Sequence, residues 1–432
     1  MWLRRIWNLY QLRRNLWKTP AELQKIQQKK LRAILRHAYD KVEFYHKRFR
    51  DAGIKPDDIK SIEDLPKLPI TTKSDIKANF RNRKIVNPEV DLSRCHLVKT
   101  AGTSGEPMTI AYDERAEDFQ KAVAVRCFRE IGVGLRDKWA IITSPTRALA
   151  RKDWFRKLNV LSPTFLSVFD PPSKYLPLLR KLKPDIIGGP SYSVWLLAKA
   201  VRENKAFEIK PKVVYGTSEP LNDKVREFIN SSFGVEMFDV FGCVEVGRTA
   251  WECEAHKDYH MDVDAVAIEV VDMKGNEQVA SEEKGRILYT SLYNYAMPLI
   301  RYDVHDMCTL SNDPCPCGRG LPMMKEIIGR TDDLLISPNG VVLPPGIWSI
   351  SMRALQGIMQ YRIIQKTKRK FVMEFVADQD FTSETPSEAR KELERILGAD
   401  AEVEVKVVEE MPKDKSGKLR SIISEVKNKV AT

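Results

Sequence analysis

The order of apolar runs predicts an α/β fold: a large N-terminal domain with layered α/β sheets and a small β subdomain, then a smaller α+β C-terminal domain. Three observations carry this prediction. Between about 120 and 245, short apolar runs bounded by turns alternate with helical stretches, the pattern of a layered sheet. From 258 to 312 strand-like runs follow one another without a helix. Beyond Arg330, two strand-like runs flank a single helix.

The elements follow in order. Residues 20–50 read as a helix, with Leu23, Ile26, Leu31, Ile34, Leu35 and Ala38 at helical spacing. Gly53, Pro56, Pro66 and Pro69 then mark a loop. Trp139–Thr143, Asp185–Gly188, Lys212–Tyr215 and Met237–Phe241 read as buried strands. Ser173–Leu182, Ser191–Val201 and Asn222–Ser231 read as the helices between them. Ala265–Val271, Arg286–Thr290 and Pro298–Tyr302 are strand-like, with turns at Lys274-Gly275 and Lys284-Gly285. Lys370–Ala377 and Ala401–Val408 flank a helix at about Ser387–Leu397. The expected division is 1–50, a basic helical segment; 51–329, the large domain, with its β subdomain at about 258–318; and 330–432, the small domain.

The chain has 432 residues, 43% hydrophobic and 30% charged, as expected for an ordinary globular protein of two or three units. No apolar run approaches the roughly 20 residues that cross a bilayer. Arg4, Arg5, Arg13 and Arg14 interrupt any secretory core at the N-terminus, so a cytoplasmic location is expected. Seven unevenly spread cysteines argue against a disulfide framework.

The net charge is +12, yet residues 1–50 alone hold 14 Lys and Arg against 3 Asp and Glu. A near-neutral body argues against nucleic acid as a partner, and a basic start suggests a surface anchor. Within residues 1–18, Arg4, Asn8, Gln11, Asn15 and Lys18 share one helical face. Trp2, Leu3, Ile6, Trp7, Leu9, Tyr10, Leu12, Leu16 and Trp17 fill most of the rest. Such a helix can lie at the inner face of a membrane. It can equally pack on its own domain while its arginines snorkel.

Five segments carry chemistry. Thr100-Ala101-Gly102-Thr103-Ser104-Gly105-Glu106-Pro107 combines glycines and hydroxyls that suit a phosphate cradle, without the Walker spacing. Asp239-Val240-Phe241-Gly242-Cys243-Val244-Glu245 ends a strand in an aromatic, a glycine and a carboxylate, a combination that can stack a base and hold magnesium. Met297–Asp306, Gly329-Arg330-Thr331-Asp332-Asp333 and Lys415-Ser416-Gly417-Lys418-Leu419-Arg420 complete the set.

In this order the five segments resemble the core motifs of the acyl-adenylate-forming superfamily. The nearer resemblance is to the phenylacetate–CoA ligase family, which includes capsule-biosynthesis and deazaflavin-adenylating relatives. It extends over about residues 20–425 and takes in Ala38–Tyr45 and Leu65–Lys73. The resemblance implies activation of a carboxylic acid, an aryl acid among the candidates, as acyl-AMP, followed by thioester formation with coenzyme A. Another thiol or a different acceptor, and a non-catalytic nucleotide-binding relative, are the alternative readings.

The implied cofactors and co-substrates are ATP, Mg2+ and coenzyme A. Thr100, Gly102, Thr103, Ser104 and Gly105 would hold the ATP phosphates. Ser218, Glu219 and Pro220 would lie on the adenine side. Asp239, Phe241 and Gly242 belong to the base-stacking strand, and Glu245 would bind magnesium. Asp306 and Arg330 would hold the ribose, Asp332 would be the hinge, and Lys418 would reach the carboxylate and α-phosphate from a mobile C-terminal domain. The acid pocket is expected near Trp139, Tyr192, Trp195, Tyr215 and Ala250. Val244 and Glu106 depart from the pattern, which usually has a hydroxyl and a lysine there.

Cys253-Glu254-Ala255-His256 and Cys315-Pro316-Cys317-Gly318 supply a Cys3His set, a common structural zinc site. The expected ligands are Cys253, His256, Cys315 and Cys317, with His260 as the alternative to His256. Cys95, Cys127, Cys243 and Cys308 read as packing residues.

Overall fold

The structure is a computed structural model and describes residues 2–100, 108–145, 163–273, 276–330, 334–343, 347–348, 351–352, 355–415 and 417–426. Two compact units emerge, one of residues 1–134 and 238–327, the other of 135–237 and 328–432.

In the first unit, Thr19 caps the helix Pro20–Lys41 in a capping box with Glu22, and Pro20 opens it. Its inward face is Leu23, Gln27, Leu31, Ile34, Leu35 and Ala38. The single helix expected over 20–50 is two. Val42 is extended and buried, and a second helix runs Glu43–Asp51. β-branched Val42 fits an extended backbone better than a helical one.

The sheet of this unit runs in the order Val266–Val271, Lys284–Ser291, Tyr302–Ser311, Met323–Arg330, Tyr259–Met261, Gly247–Trp251, Met237–Cys243. The strand expected at Pro298–Tyr302 instead begins at Tyr302 and runs to Ser311. Arg301, at φ +48, breaks the extended path. Its buried guanidinium pairs with Glu269 at 2.9 Å and also donates to the Leu68 carbonyl. The turn expected at Lys274-Gly275 lies outside the described residues.

The helix Trp2–Asn15 packs on Glu114–Glu130 in an orientation set by its polar side. The Arg4 Nε donates to Asp118 at 2.7 Å, and Arg5 pairs with the same carboxylate. Asn15 donates to Asp264 at 2.8 Å. Arg126, fully buried, donates to Asp262, to Asp264 and to the Leu12 carbonyl. Leu12 and Leu16 are buried. The arginines at 4 and 5 are therefore paired rather than snorkelling. Leu3, Ile6, Trp7, Tyr10 and Trp17 remain 51–85% exposed. Among the described residues no helix is long and apolar enough to cross a membrane.

In the second unit, Val213–Thr217, Ile186–Pro190, Trp139–Thr143 and Pro163–Ser167 lie side by side and parallel. Three of these runs are buried on both faces, as parallel strands require. The helices Leu176–Leu182, Ser191–Glu203 and Asp223–Phe233 cover them, close to the expected spans. A separate four-stranded sheet runs Glu402–Val407, Lys370–Ala377, Ile358–Gln365, Ile422–Ser424, with the helix Thr385–Leu397 packed against it through Ala389, Leu393 and Leu397.

Candidate functional site

Within the second unit the C-terminal lysine turn has a defined seat. Parallel pairing places Thr217 beside Pro190, at the start of the helix Ser191–Glu203. Ser218 turns the chain at φ +74, a conformation uncommon outside glycine. Glu219 is thereby directed back at the helix start, where backbone N–H groups lack helical partners. Its Oε2 accepts from Tyr192 N at 2.9 Å, and its Oε1 accepts from Leu419 N at 2.6 Å. Burial pushes the Glu219 carboxyl up to about 7, against the pull of those N–H groups and of Lys418 and Lys413. Ser218 and Pro220 are exposed beside it. Glu219, expected on the adenine side, has both oxygens engaged by backbone N–H groups.

The Lys418 turn is held elsewhere too. Met411 N donates to the Tyr192 hydroxyl at 2.8 Å, and Lys413 Nζ donates to the Val168 carbonyl at 2.9 Å. Gly417 sits at φ +84, where a Cβ would lie 2.1 Å from the Val168 side chain, so only glycine fits. Lys418 N donates to Asp414 at 3.1 Å. Tyr192 and Trp195, expected to line the acid pocket, stack at 5.3 Å within the hydrophobic core. Tyr215 and Trp139 are also buried.

In the first unit, three tyrosines pin the loop that carries Glu245. Tyr112 donates to the Glu245 carbonyl at 2.5 Å, and Tyr293 to the Val246 carbonyl at 2.8 Å. The Tyr302 hydroxyl lies 3.2 Å from Glu245 Oε1 and 3.9 Å from Met108 Sδ. Thr100 accepts from Met108 N at 3.0 Å, closing the neck of the Gly-rich loop. The neck and the Glu245 carboxylate are thus linked through Tyr302. Gly242 lies where a Cβ would meet the Gly247 carbonyl at 2.3 Å, at a register shift in the hairpin, and Phe241 beside it is half-buried. Asp239 is buried and accepts from the Tyr259 hydroxyl at 2.9 Å, which ties it to the strand Tyr259–Met261. Asp306 is half-buried on Tyr302–Ser311, and Arg330 ends Met323–Arg330. Gly102, Thr103, Ser104, Gly105 and Asp332 lie outside the described residues. Sequence reasoning missed Tyr112 and Tyr293, whose only signal is an aromatic hydroxyl far along the chain from the carbonyl it meets.

The cysteine units also converge in the first unit. Ligand atoms of Cys253, His260, Cys315 and Cys317 lie within 4.8 Å of one another. Cys253 Sγ is 3.5 Å from Cys315 Sγ, and Cys317 Sγ is 3.3 Å from His260 Nε2. A tetrahedral zinc would require ligand–ligand separations of about 3.5–3.8 Å, so the donor set fits. Burial pushes the His260 imidazole down to about 4, which keeps it neutral and able to ligate.

His256 is not among these donors. Its N–H reaches back to the Cys253 carbonyl in a tight turn at φ +45, and its ring packs against Phe238. His260 stands instead on the strand Tyr259–Met261, paired with Met323. The alternative ligand thus replaces His256. Arg319, two residues past Cys317, fixes the loop through Glu130 at 2.9 Å and Glu254 at 3.0 Å. The described cysteines are all free thiols, and Cys127 and Cys308 are buried.

Comparison with known proteins gives these features a family. Residues 335–425 match the CapK C-terminal domain. A phenylacetate-coenzyme A ligase of Aromatoleum evansii is 30% identical over 323 residues, covering 73% of this chain and 72% of the relative. One of Pseudomonas putida is 28% identical over 79% of this chain and 78% of the relative. Protein CapK of Staphylococcus aureus is 20% identical over 89% of this chain and 85% of its own length. A crystal structure of 2-hydroxyisobutyryl-CoA ligase, in the postadenylation state with R3-HIB-AMP, superimposes with a TM-score of 0.78 at 19% identity, over 95% of this chain and 91% of that one. At that identity the superposition speaks for the fold, while the match to the Aromatoleum enzyme places the chain in the phenylacetate–coenzyme A ligase family.

Proposed function

We propose that the protein is an AMP-forming carboxylate–CoA ligase. A carboxylate oxygen attacks the α-phosphorus of ATP, the bond to the β-phosphate breaks, and pyrophosphate leaves. The thiol of coenzyme A then attacks the acyl carbon of the acyl-AMP, its proton passes to solvent, and AMP leaves. The observation that carries this reading is the 30% identity to a phenylacetate-coenzyme A ligase over most of both chains.

In this reading Lys418 balances the charge that builds at the carboxylate and α-phosphate, which is the largest electrostatic demand of the first step. Glu245, braced by Tyr302, would hold Mg2+, which neutralises phosphate charge. Thr100, Gly102, Thr103, Ser104 and Gly105 cradle the phosphates, Phe241 next to Gly242 stacks the base, Ser218, Glu219 and Pro220 form the adenine-side segment, and Asp306 and Arg330 hold the ribose. Residues 330–432 form the C-terminal domain, hinged at Asp332; the match of 335–425 to the CapK C-terminal domain supports that boundary. Cys253, His260, Cys315 and Cys317 would hold a structural Zn2+. The test is ATP–pyrophosphate exchange over a panel of aryl, alkyl and amino acids. Exchange with one acid, followed by its CoA thioester, is the expected result. Tight ATP binding with no exchange across the panel would overturn the reading.

A peripheral site at the cytoplasmic membrane face is a second property, favoured by the outward stripe of the first helix. Leu3, Ile6, Trp7 and Tyr10 are exposed, as is Trp17 just past the helix end, while its polar side is spent on Asp118 and Asp264. Exposed Arg13 and Arg14 flank the stripe, and each basic residue near an anionic surface contributes about 1 kcal/mol. Two copies meeting at this face would bring like charges together, so an anionic bilayer is the better partner. Co-sedimentation with phosphatidylglycerol vesicles should capture the protein, and Ile6→Glu with Trp7→Glu should cut the bound fraction about tenfold at unchanged melting temperature. Wild type left in the supernatant sinks the proposal, and dimerisation lost in the variant would assign the face to a second copy.

A further inference from the structure

We infer that Glu219 is a positioning residue that latches the Lys418 turn onto the start of the helix Ser191–Glu203. The carboxylate has two oxygens and each meets one backbone N–H, Tyr192 N on the helix and Leu419 N on the turn. Only a carboxylate can bridge two donors in this way without bringing a donor of its own; a glutamine would turn its NH2 group against one of the N–H groups.

The positive end of the helix favours the anion. The rest of the seat is adapted to the same position of the turn. Tyr192, whose N–H binds Glu219, also accepts Met411 N through its hydroxyl. Gly417 is the only residue type that can approach Val168 so closely. Leu419, the residue whose N–H is held, buries its side chain in the core with Tyr192 and Val168. Lys418 lies between the two anchored residues Gly417 and Leu419, so its backbone is held from both sides. Burial raises the carboxyl to about 7 against the pull of the two N–H groups, Lys418 and Lys413.

That Lys418 acts in acid activation rests on the proposed function; the latch itself rests on this geometry alone. Its consequence is a division of labour. Glu219 supports the half-reaction that needs Lys418 and is dispensable for the one that does not.

Two measurements separate the latch from the ligase reading. The first is limited trypsin digestion, which reports cleavage at Lys413, Lys415, Lys418 and Arg420. Glu219→Ala should speed cleavage there about tenfold, Glu219→Gln should fall between alanine and wild type, and melting temperature should shift by no more than about 2 °C. Cleavage at the wild-type rate in Glu219→Ala overturns the latch. The second is a half-reaction comparison with the acid that supports exchange. Glu219→Ala should lose about 30-fold in ATP–pyrophosphate exchange kcat, with thioester formation from preformed acyl-AMP within threefold of wild type. Equal losses in both halves would make Glu219 merely structural. If wild type shows no exchange while trypsin still distinguishes the variants, the ligase reading fails and the latch stands.

Discussion

Lys418→Ala should lower ATP–pyrophosphate exchange by about 10²–10³-fold, the range found when one preorganised charge donor is removed from a developing anion. The loss should fall on kcat. Two anions must be brought together before the acyl–phosphate bond forms, and a lysine beside them lowers the barrier more than it strengthens binding. The same variant, given preformed acyl-AMP and coenzyme A, should make thioester within a few fold of wild type. In that step a thiol attacks a neutral acyl carbon, so no carboxylate anion has to be brought up to the phosphate. Half-reaction kinetics decide this. Equal loss in both halves would remove the role assigned to Lys418. The fold should persist, because the backbone N–H groups of the turn are held by Asp414 and Glu219.

Loss of the proposed zinc site should have the largest effect on stability. Purified protein should contain about one zinc per chain. Cys317→Ser should bring zinc close to zero and lower the melting temperature by on the order of 10 °C, from a loss of several kcal/mol. Cys253 and Cys315 are buried with their sulfurs 3.5 Å apart, where little solvent can stabilise a thiolate. Burial pushes the Cys253 thiol up, so its deprotonation depends on a cation at the cluster. His256→Ala should leave zinc content unchanged, whereas His260→Ala should lower it, since only His260 stands among the sulfurs. Fully stable wild-type protein that holds no zinc, measured by plasma emission after gel filtration, would dismiss the site.

The same pair of histidines shows where a sequence stops being informative. Cys-x-x-His matches a metal motif at 253–256, and His260 matches none. A motif records separation along the chain, while a metal needs separation in space. The tight turn at His256 sends its ring toward Phe238, and strand pairing carries His260 to the sulfurs. The first helix is a parallel case. Its two faces were legible from the wheel, but which face would be inward was not. Hydrophobicity alone would have buried the tryptophans. The buried charges of Asp118 and Asp264 required partners, and the arginines and Asn15 that supply them turned the apolar stripe outward.

From the sequence alone came the layered α/β class, most strand and helix positions, the basic N-terminal segment, the ordered motifs and the family they resemble. These are local or nearly local properties: periodicity, turn residues and short strings. Tertiary structure decided which histidine joins the cysteines, which side of the first helix faces solvent, and that Glu219 holds the Lys418 turn. It also decided that Tyr192 and Trp195 belong to the core. Each of these depends on groups far apart in the chain, up to 249 residues for Asn15 and Asp264 and 200 for Glu219 and Leu419. Burial makes such polar pairings obligatory, but only the folded backbone selects the partners.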